Sequence, residues 1–347
     1  MAKIVVDVCI KAVFSLLYRK APKISTHVGL TYLAHFVVLN SGTRHRTTCT
    51  AYSVSSFAPR TALKYVSPNR NGMQLLSGKK IAEGIVGNLR EKIAQSGLKP
   101  VFAAVLVGDD PASQIYVNLK EKAACSVGIE FRKIILPRET SQESLLQSIR
   151  ALNDDTAVHG ILVQLPLPEH LDAQVIIDAL DPTKDVDGFH PDNVQLFLDG
   201  KEILTPVFPR AIMELVKSAD IPLSGKRAAV IGNSDIFGQM MLSALSREGI
   251  EGVFVRHDTL ACKRAQVLSV DIVVTAVGVP GLITGDMVKD NTIVIDGGIA
   301  KSGDKMVGDV DNLSMQAKNV FLSPVPGGVG PVTIACLLEN VYRASLQ

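Results

Sequence analysis

From Gln74 onward, unbroken apolar runs alternate with longer stretches in which apolar residues return every three to four positions, and few folds accommodate that rhythm. Ile81, Ala82, Ile85, Val86, Leu89 and Ile93 recur at helical spacing. Val101–Val107 is apolar throughout and stops at Gly108-Asp109-Asp110-Pro111, as a strand buried on both faces should. Residues 113–127 read as a helix closed by Gly128. A strand at 134–136, a helix from Ser141 and a strand at 160–165 continue the series. A second series predicts strands at 227–231, 252–255, 271–276 and 292–296, a helix at 236–247 and a last helix at about 330–342. This is an α/β pattern of parallel sheets covered by helices, its second half a doubly wound, Rossmann-like domain. The expected layout is a leader at 1–73, a first domain at 74–206 completed by 331–347, and a dinucleotide domain at 207–330. The joint is the proline-punctuated Thr205-Pro206-Val207-Phe208-Pro209.

Charge separates the leader from the body. Residues 1–73 hold ten Lys/Arg against one acidic residue, Asp7, a balance of +9; the rest hold 26 Lys/Arg against 33 Asp/Glu, a balance of −7. The body is therefore a poor candidate for nucleic-acid binding. An Arg-rich, Ser-rich, acid-poor leader has the composition of an organelle transit peptide. That predicts a mitochondrial or other organelle matrix, or the cytoplasm if translation starts near Met73; a disordered extension or upstream translation foreign to the protein are the alternatives. Its apolar stretches are too short to span a bilayer. Five cysteines without a CxxC pair suggest neither a disulfide framework nor a zinc site, and no metal is expected. Each cysteine reads as a small buried residue.

Five segments carry candidate chemistry. In Ser113-Gln114-Ile115-Tyr116-Val117-Asn118-Leu119-Lys120, Tyr116 and Lys120 stand at i and i+4 on one helix face. A lysine beside an aromatic wall and partly removed from water can exchange a proton near neutral pH; the spacing alone favours a surface lysine over a half-buried tyrosine. Gln164 ends an apolar strand before Leu165-Pro166-Leu167-Pro168, at the edge where open α/β sheets bind ligands, or it caps the loop backbone. In Asp181-Pro182-Thr183-Lys184-Asp185-Val186-Asp187-Gly188, one Asp should satisfy turn N–H groups, leaving Asp187 to accept from an aminopyrimidine-type edge. Gly232-Asn233-Ser234-Asp235-Ile236-Phe237-Gly238 lies at a strand-to-helix junction suited to a pyrophosphate. Ser323-Pro324-Val325-Pro326-Gly327-Gly328-Val329-Gly330-Pro331 specifies a fixed loop that a flat ligand can approach closely.

In order and spacing these segments resemble the bifunctional methylenetetrahydrofolate dehydrogenase/cyclohydrolase family, over about residues 76–346. The resemblance implies a folate in a cleft between the domains, with Lys120 catalytic, Tyr116 stacked on the folate ring and Gln164 tuning the lysine. Leu165, Pro166, Asp187, Pro326, Gly327 and Gly328 would complete the substrate site, Asp187 on the pterin edge. It implies NADP or NAD bound by Gly232, Asn233, Ser234, Gly238, His257, Asp258, Ala276, Val277, Gly278 and Ile299, and a homodimer formed through the cofactor domains. The implied reactions oxidise 5,10-methylenetetrahydrofolate to the methenyl form and hydrolyse that to 10-formyltetrahydrofolate.

Departures from the family pattern cluster on the cofactor side. Pro206-Val207-Phe208-Pro209 stands for Pro-Cys-Thr-Pro, Gly232-Asn233-Ser234 for Gly-Arg-Ser, Phe237 for Val and Met240 for Pro. Asp258 lies 26 residues past Gly232, where an acid would accept a ribose 2′-hydroxyl or cap the next helix; Arg256 and His257 would instead favour a phosphate. Weakened NADP binding is the expectation, with an enzyme that keeps only cyclohydrolase activity as the alternative. A short-chain dehydrogenase is disfavoured because Tyr116 and Lys120 precede the Gly232 turn, and a non-catalytic folate binder because Lys120, Gln164 and Asp187 are all kept.

Overall fold

The structure, a computed structural model, describes residues 72–303 and 305–347. The leader, its import reading, Cys9 and Cys49 lie outside the described residues. The described chain opens with β1 (Gln74–Leu75) and α1 (Gly78–Ser96), followed by β2 (Val101–Val107), α2 (Pro111–Val127), β3 (Glu130–Leu136), α3 (Gln142–Asp154) and β4 (Gly160–Val163). Strands β3-β2-β4 form a parallel sheet with β2 in the centre. All seven β2 residues are buried, which is why this strand is apolar without alternation. Each fully buried Leu or Ile side chain in such a core contributes about 1.5–3 kcal/mol.

Two short helices, α4 (Ala173–Asp178) and α5 (Pro191–Leu198), lead to α6 (Val207–Lys217). Then come β5 (Arg227–Gly232), α7 (Asp235–Arg247), β6 (Glu251–Arg256), α8 (Leu260–Ser269), β7 (Ile272–Ala276) and β8 (Ile293–Asp296). A hairpin of β9 (Ala300–Ser302) and β10 (Lys305–Val307), the single turn α9 (Asn312–Met315), β11 (Phe321–Leu322) and α10 (Val329–Ala344) complete it. The second sheet runs β1-β11-β8-β7-β5-β6, all parallel. From β5 the chain turns first to β6 on one side and then to β7 on the other. The crevice at that reversal is where open α/β sheets hold ligands.

Several elements differ from the sequence expectation. Helix α2 starts at Pro111, because Asp110 caps it by accepting from Ser113 N at 2.8 Å and Pro111 fills a first-turn position that needs no N–H. Gly128 closes it at φ 87°. The proline-punctuated stretch runs into α6: Pro206 precedes the helix and Pro209 lies in its first turn, where proline breaks nothing. Strand β1, two residues without a readable pattern, pairs with β11, so Gln74 and Leu75 belong to the six-stranded sheet. Strand β4 ends at Val163, one residue before Gln164. Cys336 is buried, but Cys125 and Cys262 are exposed on α2 and α8.

The C-terminal helix returns to the first domain. It packs on α1 and α6 and buries Val332, Cys336, Leu337, Leu338 and Val341. Burial pushes the Cys336 thiol up to about 12, which leaves it protonated and inert. The fully buried Asn340 donates to Val186 O at 2.9 Å and Thr205 O at 2.8 Å, and Arg210 of α6 pairs with Glu339. The Asn340 bonds tie the backbone just before Asp187 to that of Thr205.

Candidate active site

Lys120 and Tyr116 sit one turn apart on α2, both half-buried. Lys120 Nζ donates to Gln164 Oε1 at 2.9 Å. The same amide is held from its other end, since Gln164 Nε2 donates to Leu165 O at 2.5 Å and Gln164 N donates to Val105 O at 2.8 Å. Gln164 thus braces the loop and also presents an acceptor to the lysine. Asp187 faces the same charge. It is packed densely although part of it reaches solvent; that desolvation lifts its carboxyl to about 6, against the pull of Lys120 and with a push from Asp185.

The turn divides its two acids as expected. Asp185 accepts from Gly188 N at 3.2 Å, His190 N at 2.7 Å and Asn193 Nδ2 at 3.1 Å, and burial raises its pKa. Asp187, with Leu165, Val163 and Phe189, lines a cavity beside β4. Gly188 takes φ +79°, and a Cβ there would stand 2.7 Å from Pro206 Cα. The peptide bonds Leu165–Pro166 and Val325–Pro326 are both cis. In the second loop Gly327 has φ +106°, and a Cβ on Gly328 would lie 2.6 Å from Pro324 O.

On the dinucleotide side, Gly232 ends β5 directly beside Ala276 of β7. Ser234 caps α7 by accepting from Phe237 N at 3.3 Å. A Cβ on Gly238 would meet the Phe254 ring at 2.6 Å, so glycine there lets the helix N-terminus come this close to the sheet, and one on Gly232 would crowd the Phe237 ring at 3.1 Å. Asn233 Nδ2 donates to Val277 O at 3.4 Å, which fixes the orientation of the amide, and its Oδ1 is buried with no protein partner. An orphaned acceptor in this cradle fits a bound donor such as a sugar hydroxyl. Arg256 pairs with Asp235 at 3.1 Å and lies 3.8 Å from Asp258. Asp258 lies in a 3₁₀ turn, His257–Thr259, and no side chain caps α8. Ile299 leads into β9, beyond Gly297 and Gly298.

Sequence reasoning missed three features. Gly78, at the start of α1, would place a Cβ 1.8 Å from Gly328 O, so α1 can support the 324–328 loop only with glycine there. Phe208 and Phe237, two departures far apart in sequence, touch with ring centroids 5.4 Å apart. Asp296 and Asp309, buried carboxylates behind the 277–279 loop, had no motif or periodicity to mark them. Among the described residues no group of three His, Cys, Asp or Glu is placed to hold a metal, and no helix is long and apolar enough to cross a membrane.

A two-domain α/β protein with a hydrogen-bonded Lys120–Gln164 pair and a glycine-bearing strand-to-helix turn at Gly232 is the class these features define. Residues 76–187 match the catalytic domain of tetrahydrofolate dehydrogenase/cyclohydrolase, and residues 206–347 match its NAD(P)-binding domain. The chain belongs to this family. It is 42% identical over 277 residues to the bifunctional protein FolD of Nautilia profundicola, covering 79% of this chain and 97% of the relative. The crystal structure of the FolD methylenetetrahydrofolate dehydrogenase/cyclohydrolase of Campylobacter jejuni is similar at 40% identity and TM-score 0.75, covering 79% of this chain and 99% of that one. The Trypanosoma brucei dehydrogenase-cyclohydrolase, complexed with NADP and an inhibitor, is similar at 33% identity and TM-score 0.74, with coverage of 80% and 98%.

Proposed function

We propose that the chain carries out both family reactions: oxidation of 5,10-methylenetetrahydrofolate with a nicotinamide dinucleotide, then hydrolysis of the methenyl product to 10-formyltetrahydrofolate. The observation that carries this reading is the Lys120–Gln164 hydrogen bond at 2.9 Å with Asp187 facing the same lysine charge. The dinucleotide, when bound, accepts the hydride; the chain's own contribution to that step is positioning. Asp187 is suited to hold the amino edge of a pterin, and Tyr116 to stack on its face. In the second step water adds to the cationic one-carbon bridge. Lys120 takes one proton from that water and returns it to N5 as the carbon–N5 bond breaks, and the second proton of the water leaves to solvent as the formyl C=O forms. Gln164 keeps the lysine aimed by occupying one of its N–H groups.

The cofactor side supports binding of NAD. Asn233 presents an acceptor where the family usually has arginine, and Arg256 is already flanked by Asp235 and Asp258. An acceptor and two acids favour a ribose hydroxyl over a 2′-phosphate. The assembly we propose is a homodimer through the dinucleotide domain, where β6 is the edge strand of the sheet among the described residues; light scattering on the purified protein checks it. The leader's import role is likewise a proposal, checked by fusing it to a fluorescent protein. Methenyl hydrolysis and reduction of NAD or NADP, assayed separately, test the whole reading. Both activities with NAD at least equal to NADP are expected. A strong NADP preference removes the cofactor choice, and hydrolysis without reduction of either dinucleotide replaces this reading with a cyclohydrolase alone.

A further inference from the structure

Three successive backbone N–H groups, those of Val277, Gly278 and Val279, converge on a single side chain, Asp309. Oδ1 accepts from Gly278 N at 2.7 Å and Val279 N at 2.8 Å. Oδ2 accepts from Val277 N at 2.8 Å and Thr275 Oγ1 at 2.7 Å. Gly278 takes φ +81°, so consecutive N–H groups point to one side and form a concave anion nest. Four donors on two oxygens saturate a carboxylate and suit only its ionised form. The space is closed as well: Asp309 has no exposed surface, and a Cβ on Gly298 would lie 2.2 Å from Asp309 Cγ.

A second carboxylate secures the first. Asp296 Oδ1 accepts from Asp309 N and Gly298 N, each at 3.0 Å, and Oδ2 accepts from Val310 N at 2.9 Å. A Cβ on Gly308 would stand 2.0 Å from Asp296 Oδ2. Burial, and then the Asp309 charge, push Asp296 up to about 7. Asp296 N donates in turn to Ser323 Oγ at 2.8 Å, which ties the cluster to the loop that leads to Gly327 and Gly328.

We propose that Asp309 is a positioning residue for the dinucleotide: it fills the 277–279 nest so that this loop offers a ligand acceptors and apolar surface but no phosphate site. The inference rests on the dinucleotide reading above. The nest N–H groups are spent inward, so the pyrophosphate is left to the Gly232–Ser234 turn and the first turn of α7. Across that turn Ala276 lies beside Gly232 and Val277 O is already engaged by Asn233, which sets the loop at a fixed distance from the helix end. Empty, the same nest would compete for phosphate and let the loop shift.

The test is calorimetric binding of NAD and NADP to the wild-type chain, Asp309→Asn and Thr275→Val, with methenyl hydrolysis and thermal melting measured on each. Asparagine puts an NH₂ against two of the four donors, whereas Thr275→Val removes one bond only. The expected result for a folded Asp309→Asn is dinucleotide affinity at least about tenfold weaker, while hydrolysis, which uses no dinucleotide, keeps most of its rate. Thr275→Val should weaken binding in the same direction by about two- to threefold. Unchanged affinity in folded Asp309→Asn, or equal loss of binding and hydrolysis, overturns the proposal. If Asp309→Asn does not fold, unchanged affinity in Thr275→Val overturns it instead. A wild-type chain that binds neither dinucleotide removes the parent reading and this one together; loss confined to the variants' predicted pattern concerns this one alone.

Discussion

The two halves of the cleft are built on opposite principles. On the folate side, polar groups face one another: Lys120 donates to Gln164, Asp187 feels the lysine charge, and Asn340 and Asp185 hold the backbone between them. On the dinucleotide side the contacts are mostly apolar, with Phe208 against Phe237 and the Asn233 amide bonded to Val277 O. A mutually hydrogen-bonded site tolerates little change, because each lost partner leaves a buried group unsatisfied. A site made of glycine clearance, a helix end and aromatic packing can exchange side chains and keep its shape. The departures from the family pattern fall where the structure can absorb them.

The comparison breaks most sharply at Lys120. Lys120→Met should cut the rate of methenyl hydrolysis by at least about a hundredfold, the usual scale of a lost general acid–base group, and leave the melting temperature within a few degrees. Stopped-flow hydrolysis and a thermal melt check this. Turnover within a few-fold of wild type would mean that the folate side is as replaceable as the other.

Asp187 gives the next effect. With its pKa near 6, the carboxylate is charged above that pH and protonated below it. Folate affinity that depends on an accepting carboxylate should fall about tenfold for each pH unit below 6, and Asp187→Asn should be weaker but flat from pH 5 to 7. Stability runs the other way. A folded pKa raised above 3.8 means that this residue's favourable contribution is present below about pH 4 and is lost as pH rises through 6. Folate titrations and urea melts across that range should therefore slope in opposite directions, and parallel slopes would remove Asp187 from the pterin edge.

Asn233→Arg should move the ratio of kcat/KM for NADP over NAD by about tenfold or more toward NADP, since a guanidinium can pair bidentately with a 2′-phosphate. Initial rates with both dinucleotides decide it. An unchanged ratio would locate cofactor choice at Asp258 and Arg256 instead.

How far the sequence could be read follows the same division. Helix α2, β2 and the Asp185/Asp187 turn were legible because their determinants are local: a 3.6-residue period, an unbroken apolar run, a short acidic turn closed by glycine. Helix α6 was not, since two prolines near its start resemble a loop until their N–H groups are seen to be dispensable. Asp309 was hidden for a different reason. Its donors lie 30 to 34 residues earlier, and nothing local distinguishes it from a surface acid. The orphaned Oδ1 of Asn233 likewise exists only once Val277 O has claimed the other end of the amide.

The smallest effect is the most direct test of how the dinucleotide side changed. Phe208 lies on α6 and Phe237 on α7, and a Cβ on Gly297 would approach Phe208 Cζ to 2.9 Å, so the first ring is held against the end of β8 while it packs on the second. Tilted rings at this separation carry about 0.5–1.5 kcal/mol beyond the area they bury. Phe208→Thr and Phe237→Val should each destabilise the fold, and the double variant should cost less than the two singles together by that amount. Urea denaturation of the four proteins supplies the cycle. If the costs simply add, the two residues changed independently, and the dinucleotide side is a collection of tolerated substitutions. If they couple, the side has a packing logic of its own, apolar where the folate side is polar, and neither phenylalanine can return alone to the family's residue without loss.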